Sequence, residues 1–198
     1  MARIRPSNIE LITKLSGFNK PYFTVADLEK ILGLQKKSLL VTLTRLVKSG
    51  VLIRPRKNVY LVFSESHPTE EVANQIYFPS YLSFESALSR HGILSQIPYT
   101  LTFATTRSSK KMLLQNLEVE YSHIQNKLFF GYSQIGNINV ADPEKALLDQ
   151  LYLVSKGTRN ISIEELDLSG INKTKLDSYA NKFPPIINQL LAQVKRSI

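Results

Sequence analysis

The sequence predicts an α+β protein, in which an N-terminal winged helix-turn-helix is followed by a mixed α/β C-terminal domain. The first observation is the order of patterns before residue 64: two helices, a turn opened by glycine, a basic helix and two β-rich runs. The second is the alternation of strand and helix patterns after residue 72. The third is the charge, which is concentrated in the first third of the chain. We therefore expect domains at 1–63 and 73–198, joined by a linker at 64–72.

Residues 33–50 predict an amphipathic helix of roughly four turns. With Leu43 at the centre of a helical wheel, an apolar stripe about 60° to either side contains Leu39, Leu40, Leu46 and Val47. The opposite face carries Lys37, Ser38, Val41, Thr44, Arg45 and Lys48. Gly50 is placed to end the helix in the left-handed conformation. A basic face of this kind is either solvated or a binding surface, and the neighbouring segments favour binding.

The segments before this helix supply the rest of a helix-turn-helix. Ser7 or Asn8 can cap a first helix that runs to Leu15, and Tyr22-Phe23 favours a short strand. Residues 24–32 predict a second helix, which begins with a variant of the capping box because an aspartate follows its capping threonine by three residues. The turn at 33–35 is short, as this motif requires.

The segments after the basic helix predict a hairpin. Residues 51–54 and 59–63 are β-rich, and residues 55–58 form the turn between them. The turn carries cations, which is typical of a wing that touches the DNA backbone or the minor groove.

The charge distribution indicates a polyanionic partner. Residues 1–63 hold 12 Lys or Arg against three acidic residues, a net charge of +9, whereas residues 64–198 hold 13 of each sign. Nucleic acid fits this asymmetry better than an anionic membrane, because the basic helix opposes its cations with a narrow core stripe. No apolar run has signal-peptide or membrane-spanning length, and there is no cysteine. A cytoplasmic location is therefore expected.

The C-terminal part predicts several elements. A helix is expected at 83–92, and strands at 99–105, 117–124 and 137–141, with 128–132 pairing with 117–124. A longer helix is expected to start at Asp142, which has a capping residue type, with Pro143 and Glu144 in the first turn, and to end at Gly157. Short helices follow from residue 161, the last at 186–194.

Three phrases of the C-terminal part are distinctive: PSYLSFESALSRHGIL at 79–94, FATTR at 103–107 and VADPEKALLDQLY at 140–152. Together with the winged helix, they resemble the AbiEi family, the antitoxins of abortive-infection type IV toxin–antitoxin pairs. The resemblance covers residues 8 to about 157. It implies a repressor that binds repeats in its own promoter, with a C-terminal domain that counters a nucleotidyltransferase-type toxin without necessarily contacting it.

No pattern in the chain demands catalysis, a cofactor or a metal. Asp142, Glu144 and Lys145 have the residue types of a metal-dependent nuclease, but a predicted helix start gives them the wrong geometry. Glu118 and Glu120 share one face of a strand, without a third ligand. The basic run at 105–111 fits either a phosphate-binding loop or a solvated loop. We therefore expect that the protein is not an enzyme.

The residues thus predict a DNA-binding transcriptional regulator, and the resemblance implies the autorepressing antitoxin of such a pair. The expected partner is double-stranded DNA, with the promoter repeats that the resemblance implies, and no membrane is expected. The expected base-reading residues are Lys37, Ser38, Thr42 and Arg45, with Arg45 best placed for a bidentate contact to guanine. Lys36 and Lys48 are expected on phosphates, and Arg54, Arg56 and Lys57 in the wing. The alternatives are a stand-alone regulator without a toxin and a winged helix that binds protein.

Overall fold

The computed structural model describes residues 8–18, 20, 22–62, 68–114 and 116–197, so the expected cap at Ser7 and the strand end at Phe63 lie outside the described residues. The chain forms two compact units that divide between Val72 and Ala73. Among the described residues, none of the helices is both long and apolar enough to cross a membrane.

The helices and strands are numbered in chain order. The helices are α1 (Asn8–Ser16), α2 (Val25–Leu32), α3 (Lys36–Lys48), α4 (Thr69–Ile76), α5 (Phe84–Arg90), α6 (Pro143–Ser155), α7 (Lys173–Ala180) and α8 (Asn188–Ser197). The strands are β1 (Phe23–Thr24), β2 (Leu52–Arg56), β3 (Val59–Val62), β4 (Ser80–Leu82), β5 (Thr100–Thr105), β6 (Lys110–Leu114), β7 (Leu117–His123), β8 (Tyr132–Ile135) and β9 (Ile138–Ala141). Short 3-10 turns lie at Asn126–Leu128, Ile163–Glu165 and Pro185–Ile187.

The N-terminal unit has the order α1-β1-α2-α3-β2-β3, and its antiparallel sheet has the strand order β1-β3-β2. The prediction of an α+β protein with an N-terminal winged helix-turn-helix is confirmed. One apolar cluster holds the three helices on the sheet, and its buried members are Leu11, Leu15, Phe23, Leu28, Leu39, Leu43, Leu46, Leu52 and Tyr60.

The turn between α2 and α3 follows from local hydrogen bonding. Thr24 and Asp27 form the predicted capping box, in which the Asp27 backbone N–H donates to the Thr24 hydroxyl and the Thr24 backbone N–H donates to the Asp27 carboxylate. Gly33 ends α2 with φ 62°, a left-handed conformation that glycine adopts without steric cost. Only Leu34 and Gln35 separate Gly33 from the start of α3, so the two helices form a tight helix-turn-helix.

The hairpin differs from the expectation in its turn. The predicted turn was 55–58, but β2 continues to Arg56 and only Lys57 and Asn58 connect the strands. Asn58 has φ 64°, which asparagine tolerates better than most residues, and this allows so short a connection. Pro55 fits inside β2 because β2 is an edge strand and its register shifts between Ile53 and Arg56.

The C-terminal unit is built on a six-stranded mixed sheet with the order β6-β7-β5-β4-β9-β8. Helix α6 is its central helix and contacts α5, α7, α8 and β9. Every residue from Glu144 to Leu153 is buried, so this helix is enclosed on all sides and its polar side chains must find partners inside the unit.

One expectation for this part of the chain was wrong, and some elements were missed. Strand β7 pairs with β5 and β6, and not with 128–132, because a 3-10 turn follows it and β8 pairs with β9. Strand β6, which begins inside the basic run at 105–111, was missed. Helix α4 was also missed, and its first residues, 69–72, belong to the expected linker.

Candidate nucleic-acid interface

Helix α3 turns a narrow apolar stripe inward. Leu39, Leu43 and Leu46 are at most 1% exposed, as predicted. Leu40, at the edge of the predicted stripe, is 45% exposed and belongs to the outer face, and Val47 is half-buried. The outer face is therefore wider than the helical wheel indicated.

Helix α3 carries four exposed cations without acidic partners, three of them on its outer face and Lys36 at its first position. Among the described residues, no carboxylate forms an ion pair with Lys36, Lys37, Arg45 or Lys48, all of which are exposed. Solvated cations on this face would ordinarily be interspersed with acidic residues, as on most soluble helices. The unopposed charge makes this face attractive to a polyanion.

The first turn of α3 is also basic, which is unusual for the start of a helix. Its first turn holds Lys36 and Lys37 but no acidic residue, and the side chain of Gln35 makes no capping hydrogen bond. In contrast, α1 has Glu10 and α2 has Asp27 in the first turn, where a negative charge is favoured by the helix dipole. Lysines at this end cost α3 some stability, which a bound phosphate would offset.

The four expected base-reading residues differ in what they can offer. Lys37, Ser38 and Arg45 are exposed, whereas Thr42 is half-buried. The Thr42 hydroxyl donates to the Ser38 carbonyl oxygen at 2.9 Å. Thr42 therefore has only acceptor lone pairs left for a base, and is a weaker reader than the sequence suggested.

The hairpin presents one described cation at its tip. Lys57 is exposed in the two-residue turn. Arg54 is also exposed, and its guanidinium carbon lies 5.7 Å from the centre of the Tyr60 ring, so the aromatic ring orients this side chain. The side chain of Arg56 lies outside the described part of the structure.

The carboxylate of Asp27, in the N-terminal unit, is engaged at the start of α2 and not on α3. The Asp27 carboxylate accepts from the backbone and hydroxyl of Thr24 and contacts the ammonium of Lys20 at 3.4 Å. The Thr24 backbone N–H is the largest cause that lowers the pKa of Asp27, against the opposing effect of burial. The Asp27 carboxylate thus serves to cap α2.

The polar groups of the C-terminal unit form a buried network rather than an open site. Lys145 and Asp149 form an ion pair one turn apart on α6, with both side chains fully buried. The hydroxyls of Tyr81 and Ser83 donate to Asp149 at 2.8 and 2.9 Å, and the Lys145 ammonium donates to the Tyr81 oxygen at 2.7 Å. Burial and the neighbouring carboxylate raise the pKa of Tyr81 well above its ordinary value, so the phenol keeps its proton.

This network explains two of the three phrases noted in the sequence. Tyr81 and Ser83 belong to the phrase at 79–94, and Lys145 and Asp149 to the phrase at 140–152. Sequence reasoning missed the network because the partners are more than 60 residues apart. The spacing of Lys145 and Asp149 by four residues was its one available signal.

Asp142, Glu144 and Lys145, the three residues considered for catalysis, do not form one site. The Lys145 ammonium points into the buried network, while Asp142 and Glu144 both contact the Lys175 ammonium, at 3.2 and 3.3 Å. Asp142 precedes α6 as predicted, but its side chain accepts from the Tyr179 hydroxyl and does not cap the helix. In the described part of the chain, no group of three or more His, Asp or Glu residues could hold a metal ion.

The two carboxylates on β7 serve an ion-pair network. Glu118 and Glu120 face the same side and both contact Lys111 of β6, while Glu120 also contacts Arg159. Burial alone would raise the pKa of Glu120, but the Arg159 charge and hydrogen bonds from Lys111 and Ser122 outweigh it and lower the pKa. The basic run at 105–111 is therefore partly a paired strand and not a free phosphate loop.

Comparison with known proteins bears on the N-terminal unit. No curated protein matches the chain. Residues 10–62 match the family described as "Transcriptional regulator, AbiEi antitoxin". The match runs from α1 to the end of β3, and the phrases at 79–94, 103–107 and 140–152 lie outside it. Across its winged-helix unit, the chain thus carries the sequence pattern of the AbiEi antitoxin family of transcriptional regulators.

Proposed function

We propose that this protein is a sequence-specific DNA-binding transcriptional regulator that represses its own promoter. The observation that carries the proposal is the cationic surface of α3, where Lys37, Arg45 and Lys48 on the outer face and Lys36 at the helix start are exposed without a carboxylate partner among the described residues. In a winged helix, the helix at this position enters the major groove. The family match over the same residues supports a regulatory role.

We assign separate tasks to the cationic and polar side chains of α3 and the hairpin. Arg45 makes a bidentate contact to guanine, and Lys37 and Ser38 add base contacts within one turn of the α3 start. Lys36 and Lys48, at the two ends of the helix, hold phosphates and fix its register in the groove. Arg54, Arg56 and Lys57 hold the backbone or the minor groove next to the site.

DNA binding by the full-length protein tests this proposal directly. Fluorescence anisotropy would compare a labelled duplex from the region upstream of its own reading frame with a shuffled duplex of the same composition. We expect at least about 1,000-fold tighter binding to the promoter duplex. If about six cations meet phosphates, log affinity falls with log salt concentration with a slope near −5. Equal affinity for both duplexes would contradict the proposal.

We further propose that this repression belongs to a toxin–antitoxin pair. The family match supports an antitoxin, and the separate C-terminal unit, which has its own core and a near-neutral sequence, is free for a second task. That task is protection against a nucleotidyltransferase-type toxin, with or without a stable complex. Survival of cells that express the toxin of the neighbouring reading frame, with and without this protein, is the assay. Unchanged survival when the protein is present would contradict the antitoxin role and leave transcriptional regulation as the proposed function.

A further inference from the structure

Val41 is an exposed apolar residue at the centre of a cationic helix face. It is 72% exposed in the middle of α3, and Leu40 beside it is 45% exposed. A β-branched residue is a mediocre helix former, and an exposed one gains nothing from the core. Neither the helix nor the packing of the unit explains valine at this position.

The neighbours of Val41 define what approaches it. Lys37 and Arg45 lie one turn before and one turn after it on the same face, because residues four apart are adjacent on a helix surface. Neither cation has a carboxylate partner in the described residues. A ligand on Val41 must therefore be anionic around its edges and apolar at its centre.

The two threonine hydroxyls closest to Val41 in the sequence are already engaged. The Thr42 hydroxyl donates to the Ser38 carbonyl oxygen, and the Thr44 hydroxyl donates to the Leu40 carbonyl oxygen, each at 2.9 Å. From position 40 to position 44, α3 thus offers carbon atoms rather than free side-chain hydrogen-bond donors.

We propose that Val41, assisted by Leu40, contacts the 5-methyl group of thymine in the major groove, so that the operator has thymine opposite the middle of α3. The inference rests on the proposed DNA binding. Thymine is the one base whose major-groove edge carries a methyl group, and apolar side chains read it by contact. The phosphates on either side supply the anionic rim that Lys37 and Arg45 require. Val41 is then a specificity-determining residue that the sequence pattern had placed on the outer face without a role.

The experiment removes the methyl group from the DNA and the side chain from the protein. The full-length protein is titrated with the promoter duplex prepared with thymine or with uracil throughout. We expect the wild-type protein to bind the uracil duplex about fourfold more weakly for each methyl group contacted. Val41→Ala binds the thymine duplex more weakly by a similar factor and loses most of the difference between the two duplexes. Lys48→Ala, the matched control for a phosphate contact, weakens both duplexes equally and keeps the difference.

The outcomes separate this inference from the proposed function. A protein that prefers the promoter duplex to shuffled DNA, yet binds the thymine and uracil duplexes equally, retains its function and refutes the thymine contact. Loss of the promoter preference itself refutes the proposed function. If Val41→Ala changes the oligomeric state in size-exclusion chromatography with light scattering and leaves the thymine preference intact, the apolar patch contacts protein, and the inference is wrong.

Discussion

Removing one member of the buried pair on α6 should destabilise the C-terminal unit strongly. Asp149→Ala leaves the Lys145 ammonium fully buried with the Tyr81 oxygen as its remaining hydrogen-bond acceptor. An unpaired buried charge of this kind costs about 3–5 kcal/mol, because neither water nor a counter-charge solvates it. A domain has only about 5–15 kcal/mol of stability, so this loss is a large fraction of the total.

Hydrogen exchange at the α6 backbone amides, read by mass spectrometry, measures the free energy of opening in the full-length protein. The matched control is Lys111→Ala, which breaks ion pairs at an exposed side chain and should cost much less than Asp149→Ala, because exposed pairs contribute little to stability. The combined replacement Lys145→Met with Asp149→Leu should cost less than the two single changes added together, since it leaves no unpaired charge. An Asp149→Ala protein as stable as the Lys111→Ala control would refute this account of the network.

Three further predictions concern the N-terminal unit and the division of tasks. Lys48→Ala and Lys57→Ala should each flatten the salt dependence of DNA binding by about one unit, as measured by anisotropy from low to moderate salt. Asp27→Ala should lower the free energy of unfolding by about 1 kcal/mol at pH 7. Because the pKa of Asp27 is lowered on folding, its contribution is present above its unfolded pKa of about 4 and lost as the pH falls further, so the gap to wild type should close in acid denaturation curves. Arg45→Ala should derepress a promoter reporter yet preserve survival with the cognate toxin. Leu147→Asp, which buries a charge in α6, should abolish protection. Loss of both activities in the Arg45 variant would contradict the assignment of repression and protection to separate units.

Most of the N-terminal unit was predictable because local rules determine it. The capping box of Thr24 and Asp27, the left-handed Gly33 and the apolar spacing of α3 each follow from residues a few positions apart. Leu40 departs from prediction because it lies at the edge of the stripe, where an angle on a wheel does not decide burial. The two-residue hairpin turn was missed because Pro55 suggests a turn, yet an edge strand tolerates it.

The C-terminal unit was harder to predict because it depends on distant partners. Strand pairing in a mixed sheet joins residues such as Thr100 and Glu118, and no local pattern specifies it. The sequence singled out Lys145 only as one of three residue types found in metal-dependent nucleases, and only the fold brings Tyr81 and Asp149 around it. Most candidate residues of α3 were predictable as one helix face, whereas the hydrogen bond of the Thr42 hydroxyl to the Ser38 carbonyl oxygen becomes visible only in the folded structure.

The central claim is that the outer face of α3 reads DNA sequence, and the affinity of Arg45→Ala for two duplexes tests it most directly. Both duplexes, the promoter site and its shuffled counterpart, are titrated at the same salt concentration with wild-type and variant full-length protein. A bidentate guanine contact is worth about 1–3 kcal/mol of discrimination. The variant should therefore lose that much on the promoter site and much less on shuffled DNA. Equal losses on both duplexes would show that Arg45 serves the phosphate backbone and that α3 does not read bases through this residue.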